Sequence, residues 1–443
     1  MPTDLANGDF PLSFWPRVRE YAVPPSMIET ATARRRAGDW AGACAAAHID
    51  VDLQPRLVAR RHGREVAARL RADLRHLAPD LLRWHMPRIA PDGLLRPGLT
   101  LTLARYGTAG TLHLVVRTPP AWADAGQRIS LALWDASHTR ETGRRHPHPR
   151  PSRRFRLDLH RHLWDARRAG ELRARSGDGG AAGGPEFAGL LPPGHRCAVD
   201  RWAAEAGILL RAEGRSGGRV CVRLGARHRL VLDVSDGGEK TAMSYTRAPD
   251  SSLPVLPDAA TWVLPDLELV RAGAIDAGRL HPLVASALGV ERTSGLPERA
   301  GDPRVVECRG ARHRIGLVDG ALAALDHDPA EIRREELLAA LGGPPLPCLR
   351  AVDEAHRRPD CLPGVRERLH HGDTAGALAA VESLLGPEAV LRDGPLRDAL
   401  ETAARRRIAH GLFRAGLEGP SPAGLRPWDR RRSRGEGPHP RHM

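Results

Sequence analysis

The chain is almost without lysine: of its 67 basic residues only Lys240 is one, and arginine supplies the rest. Usage this one-sided reflects a GC-rich coding sequence more than a choice of chemistry, so the arginine count alone argues for no function. Aromatic residues are also scarce, at 4%, while apolar residues reach an ordinary 41%. Packing must therefore rest on Ala, Leu and Val. The six cysteines, Cys44, Cys197, Cys221, Cys308, Cys348 and Cys361, show no C-x-x-C spacing. That spacing argues against a disulfide framework and predicts buried thiols. No run of about 18 apolar residues occurs, and the N-terminus lacks a basic segment followed by an apolar one. The expectation is a cytoplasmic protein with no membrane partner.

Catalytic signatures are missing as well. There is no His-Glu-x-x-His helix and no Gly-x-Gly-x-x-Gly turn. Asp353-Glu354-Ala355-His356 spells the magnesium-binding signature of one helicase class, but such a site needs a phosphate loop ending in Gly-Lys. Around Lys240 that glycine is replaced by Glu239, whose charge would repel phosphates. His146 and His148, then His160 and His162, lie two apart, a spacing that can present two imidazoles to one metal. No cysteine or acid nearby completes a ligand set. The sequence therefore assigns no catalytic, cofactor-binding or metal-binding residue, and leans away from an enzyme.

What is present is length and patterning. At 443 residues the chain has room for two to four domains. The net charge of +14 is concentrated in two stretches. Arg140 to Arg161 carries eight arginines against Glu141 and Asp158, and the segment from Glu418 to the end carries six against three acids. Both are rich in Pro and His and read as solvated basic segments, which leaves the remainder close to neutral. Phosphate binding by these arginines is a weaker reading, since aromatic residues to stack bases are wanting.

Periodicity predicts a multidomain α+β protein, with helical units at both ends flanking a central antiparallel, sandwich-like β domain. Residues 1–95 read as helical, with Ser26 and Glu29 as a capping box, a hairpin over 26–47, and a further helix from Arg64 to Trp84. Residues 96–236 read as short strands. Leu101, Leu103, Leu112, Leu114, Leu131 and Leu133 point inward, and Phe155–Leu159 and Ile208–Leu210 are counted among the strands. Disordered insertions are expected at 140–154 and 176–194. Residues 237–330 read as mixed helix and strand pair, with Asp276 capping a helix through Leu288 and Asp328 capping another. Residues 331–418 read as helical, and 419–443 as a disordered basic tail.

Two duplications stand out. Gly38-Asp39-Trp40-Ala41-Gly42-Ala43-Cys44-Ala45-Ala46 matches residues 372–380 at every position but the third and seventh. Glycine ending one helix and aspartate capping the next describe a tight helical turn, with Gly42 and Gly376 expected to permit close helix approach. Over these ten or so residues the turn resembles the one between paired helices of a tetratricopeptide repeat, although the Trp, Leu-Gly and Tyr positions of that family's first helix are absent. Residues 225–230 and 310–315, Gly-Ala-Arg-His-Arg-Leu/Ile, form a second pair and read as hairpins with Arg and His exposed. Together these features point to a non-catalytic interaction or adaptor protein with an unknown protein partner. The rival readings are an enzyme, hydrolase-like, whose site sequence does not reveal, and a nucleic-acid binder using the arginine-rich loop and tail.

Overall fold

The computed structural model describes residues 14–417, apart from 108–109, 125, 139–145, 147, 178–195, 226–227, 236–240, 247–251, 291–303, 319–320, 358–360 and 387–389. The chain is a mixture of helix and sheet and divides into two compact units, one of Met1–Ser294 with Gly416–Met443, the other of Gly295–Ala415. The tail from 419, the 178–194 insertion and Lys240 lie outside the described residues.

The first unit opens with six helices: α1 (Phe14–Tyr21), α2 (Pro25–Arg36), α3 (Trp40–Ala46), α4 (Pro55–His62), α5 (Arg64–His76) and α6 (Pro79–His85). Pro24 precedes α2 in an extended conformation and no side chain caps it, so the Ser26–Glu29 box does not form. Proline at the first helical position, with no N–H to satisfy, takes its place. The single helix expected from Arg64 to Trp84 is broken at Leu77-Ala78, just ahead of Pro79. The residue before a proline is driven out of helical geometry.

Strand β1 (Ile49–Asp52) pairs in parallel with β6 (Ile129–Asp135), which continues antiparallel to β5 (Leu112–Arg117) and then β4 (Thr100–Tyr106). Between α6 and β4, β2 (Arg88–Ile89) and β3 (Leu94–Leu95) form a small ribbon. Leu101, Leu103, Leu112, Leu114 and Leu131 are buried and Leu133 half-buried, but Thr100 and Thr102 are buried too. The sheet is therefore covered on both sides. One face meets α1–α6; on the other lie Val115, Ala132 and Trp134. Residues 152–158 run along the free edge of β4, where Ser152 N–H donates to Thr100 O at 2.8 Å and Asp158 N–H to Thr102 O at 2.9 Å. Residues 148–154, expected as part of a disordered insertion, thus help to close a sheet edge. Phe155–Leu159 is not a strand; it touches the sheet through one bridge, Thr102 to Arg156.

After a short helix α7 (Leu172–Arg175), residues 199–212 form α8 (Val199–Ala212), which includes the expected strand Ile208–Leu210. Trp202, Ala206, Leu209 and Leu210 are its buried apolar residues, at helical rather than alternating spacing. They pack on β7 (Gly218–Leu224) and β8 (His228–Val234), with β9 (Thr241–Thr246) completing an antiparallel meander. The central region thus contains two small sheets, each packed on helices. The helices α9 (Asp258–Thr261), α10 (Pro265–Arg271) and α11 (Pro282–Leu288) follow. Gly273, at a left-handed φ of +62°, follows the end of α10, but Asp276 caps only a short 3₁₀ turn, and His281 caps α11.

In the second unit β10 (Arg304–Cys308), β11 (Ala311–Val318) and β12 (Ala321–Ala324) make a second antiparallel meander, so the duplicated strand pair extends to a third strand in both copies. Helix α12 (Pro329–Ala340) begins at the predicted Asp328 cap, whose side chain accepts from Ala330 N–H. Then come α13 (Pro347–Arg357), α14 (Leu362–His371), α15 (Thr374–Leu385) and α16 (Pro395–Ala415), the last three joined through Val365, Leu369, Ala377, Val381, Leu385 and Leu396.

The duplicated helical turns are built alike. Gly38 and Gly372 take left-handed φ of +79° and +90°. Asp39 and Asp373 accept from Gly42 N–H at 2.8 Å and Gly376 N–H at 2.9 Å. Each aspartate also holds an arginine five residues upstream, Arg34 at 3.2 Å and Arg368 at 2.7 Å. Gly42 and Gly376 serve this cap rather than helix approach: a Cβ at either would collide with the capping carboxylate, and at Gly376 also with Arg368.

Candidate functional sites

Helices α14 and α16 of the second unit flank a groove of about 400 Å³, in the range of small-ligand and peptide sites. Buried Leu369 lies under it, with Ala399 and Ala403 half-buried beside it. Arg366, His370 and Arg406 line it together with one acid, Asp398. Among the described residues neither Arg366 nor Arg406 makes an ion pair, and the groove lining sets two arginines against the single acid Asp398. Six residues of α14 and α16 carry the set: 366, 369 and 370 on one helix, 399, 403 and 406 on the other, at the three- and four-residue spacing that keeps side chains on one face.

A second grouping in this unit collects Cys308, His327 and Cys348, whose ligand atoms all lie within 4.8 Å of one another. Cys348 Sγ is 3.4 Å from His327 Nε2. The His313 ring stacks on His327 at 4.0 Å with planes 10° apart. Burial, with Cys308 next to it, pushes the Cys348 thiol up to about 11.

The first unit buries a polar network. Arg19 donates to Asp266 at 2.6 Å and to Trp84 O at 2.7 Å, and Trp84 Nε1–H donates to the same Asp266. His281 lies 3.0 Å from Asp80, and its Nδ1 accepts from Leu283 N–H, so Nε2 is the donor to the carboxylate. His85 Nδ1–H is directed at Leu81 O and Leu163 O, leaving Nε2 bare. Burial holds His85, His160 and His162 well below the ordinary histidine range. The cavity beside His85 and His162 is about 20 Å³, space for about one water. The network fixes helices to loops and has no room for a substrate.

No family model, curated protein or solved structure matches the chain. The functional reading rests on these three arrangements.

The residues weighed from sequence fall as follows. His146 is buried, donating through Nε2 to Thr118 O and accepting at Nδ1 from His148 N–H, so both ring nitrogens are engaged in holding backbone. His160 and His162 sit at a 3₁₀ turn, not on a strand. Of the arginines in the Arg140 to Arg161 stretch, Arg154 pairs with Asp258, Arg156 with Asp158 and Glu213, and Arg161 with Asp73 and Asp165. These three are intramolecular, not a solvated basic loop. Asp353 and Glu354 lie on α13, where Asp353 pairs with Arg392. Sequence reading missed Cys308, His327 and Cys348 because their separations match no compact ligand motif. It missed the groove because arginines and alanines on two helices carry no pattern until the helices pair.

Proposed function

We propose that this chain is a non-catalytic adaptor that takes a segment of a protein partner, acidic and aliphatic in character, into the groove between α14 and α16. The observation that carries the reading is the pair Arg366 and Arg406, without ion-pair partners among the described residues, on either side of an apolar floor. A segment alternating Asp or Glu with Leu would seat its leucines over Leu369, Ala399 and Ala403 and its carboxylates on the guanidinium groups, a charge-assisted arrangement. The six cysteines, five of them buried and none in a disulfide, fit a reducing compartment and support a cytoplasmic site of action.

The test is fluorescence anisotropy with a labelled Asp/Leu-alternating peptide and, in parallel, a labelled single-stranded oligonucleotide. Peptide binding that weakens at least tenfold in the Arg366→Glu/Arg406→Glu variant supports the groove, tenfold being about 1.4 kcal/mol. Binding indifferent to both substitutions, or oligonucleotide binding without peptide binding, defeats it.

A further inference from the structure

Cys308 closes β10, in register with Ala311 across the hairpin. His327 lies three residues beyond β12, next to the Asp328 cap of α12, and Cys348 is the second residue of α13. In an antiparallel meander the first and third strands end on the same side, so β10 and β12 deliver Cys308 and His327 to one place. Helix α13 then brings Cys348 in from a third direction. The sites are closed to solvent: Cys308 and Cys348 are 1% and 0% exposed, and the His327 side chain is 5% exposed.

From this geometry we propose that Cys308, His327 and Cys348 bind a zinc ion that staples the meander to α12 and α13. A tetrahedral ion with Zn–S near ~2.3 Å and Zn–N near ~2.0 Å sets sulfur and nitrogen about 3.5 Å apart, and Cys348 Sγ and His327 Nε2 stand at 3.4 Å. Thiolate and imidazole together select zinc over the harder magnesium and calcium. The other ring nitrogen of His327 faces Glu331 at 3.8 Å, and Glu331 is itself held by Arg309 at 2.5 Å. A carboxylate behind a ligating imidazole fixes its orientation and strengthens it as a donor. Among the described residues no fourth Cys, His or acid joins the group, which leaves one tetrahedral position for a donor from outside this set.

The packing of this region leaves a metal something to add. Helix α12 buries none of its residues, and the core around the three ligands is Cys308, Leu346 and Cys348 with a few half-buried neighbours. Strand β12 also packs through Leu322 on the larger core of the unit, and α13 buries Val352 and Ala355, so the metal would chiefly hold α12 and the end of β10. Zinc bound by sites that exist only in the folded state adds its binding free energy to folding.

The inference is independent of the groove, and so is its test, made on the full-length chain purified from zinc-supplemented cells under reducing conditions. Elemental analysis should find one zinc per chain, lost in Cys308→Ser/Cys348→Ser and in His327→Ala but kept in Cys44→Ser. Reconstitution of the wild-type chain with Co²⁺ should give the visible bands of a tetrahedral site and the near-ultraviolet charge transfer of thiolate ligands, which needs no variant to fold. A wild-type chain without stoichiometric zinc, cobalt bound without thiolate charge transfer, or zinc retained by the double cysteine variant overturns the proposal.

Discussion

At the scale of single residues, the turns at Gly38 and Gly372 show how a residue is legible in sequence while its reason is not. The left-handed glycine and the capping aspartate follow from the letters, because only those chemistries suit those positions. The second glycine does not: its role is set by where the aspartate side chain folds back, which is a tertiary fact. Alanine is the better helix former by about 1 kcal/mol, so an ordinary helical position would gain from Gly42→Ala or Gly376→Ala. Here the new methyl displaces the cap, which forfeits about 0.5–2 kcal/mol. The lost cap offsets the helical gain, so Gly42→Ala should show none of the stabilisation of an ordinary helical glycine, and Gly376→Ala, which also meets Arg368, should melt lower than the parent. A rise in melting temperature for either, measured by calorimetry, contradicts the assignment.

At the scale of elements, local patterns succeeded where one periodicity dominated. The alternating leucines of β4, β5 and β6 and the Asp328-Pro329 start of α12 are both where sequence puts them. The reading failed at Ile208–Leu210, where three successive β-compatible residues outweighed a longer 202, 206, 209, 210 spacing. It also failed at Arg154 and Arg156, which looked solvated and are instead paired with acids distant in sequence, Asp258 and Glu213. The candidate sites were illegible for the same reason, being assembled from separate elements. Helix α8 offers a direct check. Leu209 is 2% exposed and Ile208 only half-buried, so Leu209→Ala should cost about 2–5 kcal/mol and Ile208→Ala clearly less. Denaturant titration of the two variants separates them; a strand would have put its inward residues in strict alternation instead.

At the scale of the whole molecule, buried titratable groups set a pH window for the first unit. His85, His160 and His162 are kept neutral by burial, with Arg19 beside the first and Arg175 beside the other two. The unfolded chain takes up their protons near pH ~6.5, while the folded chain resists, so their contribution is present above that pH and lost as pH falls below it. Glu268 acts in the opposite sense: burial raises its carboxyl to about 7, against the pull of Arg196 and Arg271. It favours the folded state at acid pH, and that contribution is lost as pH climbs from the ordinary carboxylate range through about 7. Calorimetry across pH should find the first unit most stable near neutrality, with Glu268→Gln raising the melting temperature at pH ~8 and changing it little near pH ~4. An unchanged alkaline limb in that variant contradicts the account.

The twin caps have one further consequence. Nature has placed the same Arg-Asp-Gly arrangement at two depths in one polypeptide: the Arg34 and Asp39 side chains are 59% and 41% exposed, those of Arg368 and Asp373 only 32% and 7%. Composition and backbone are matched, so the pair works as an internal dielectric gauge. Added salt screens charges that face water and leaves sheltered ones nearly untouched. The destabilisation caused by Arg34→Ala should therefore shrink as sodium chloride rises from millimolar to molar, while that caused by Arg368→Ala should hold.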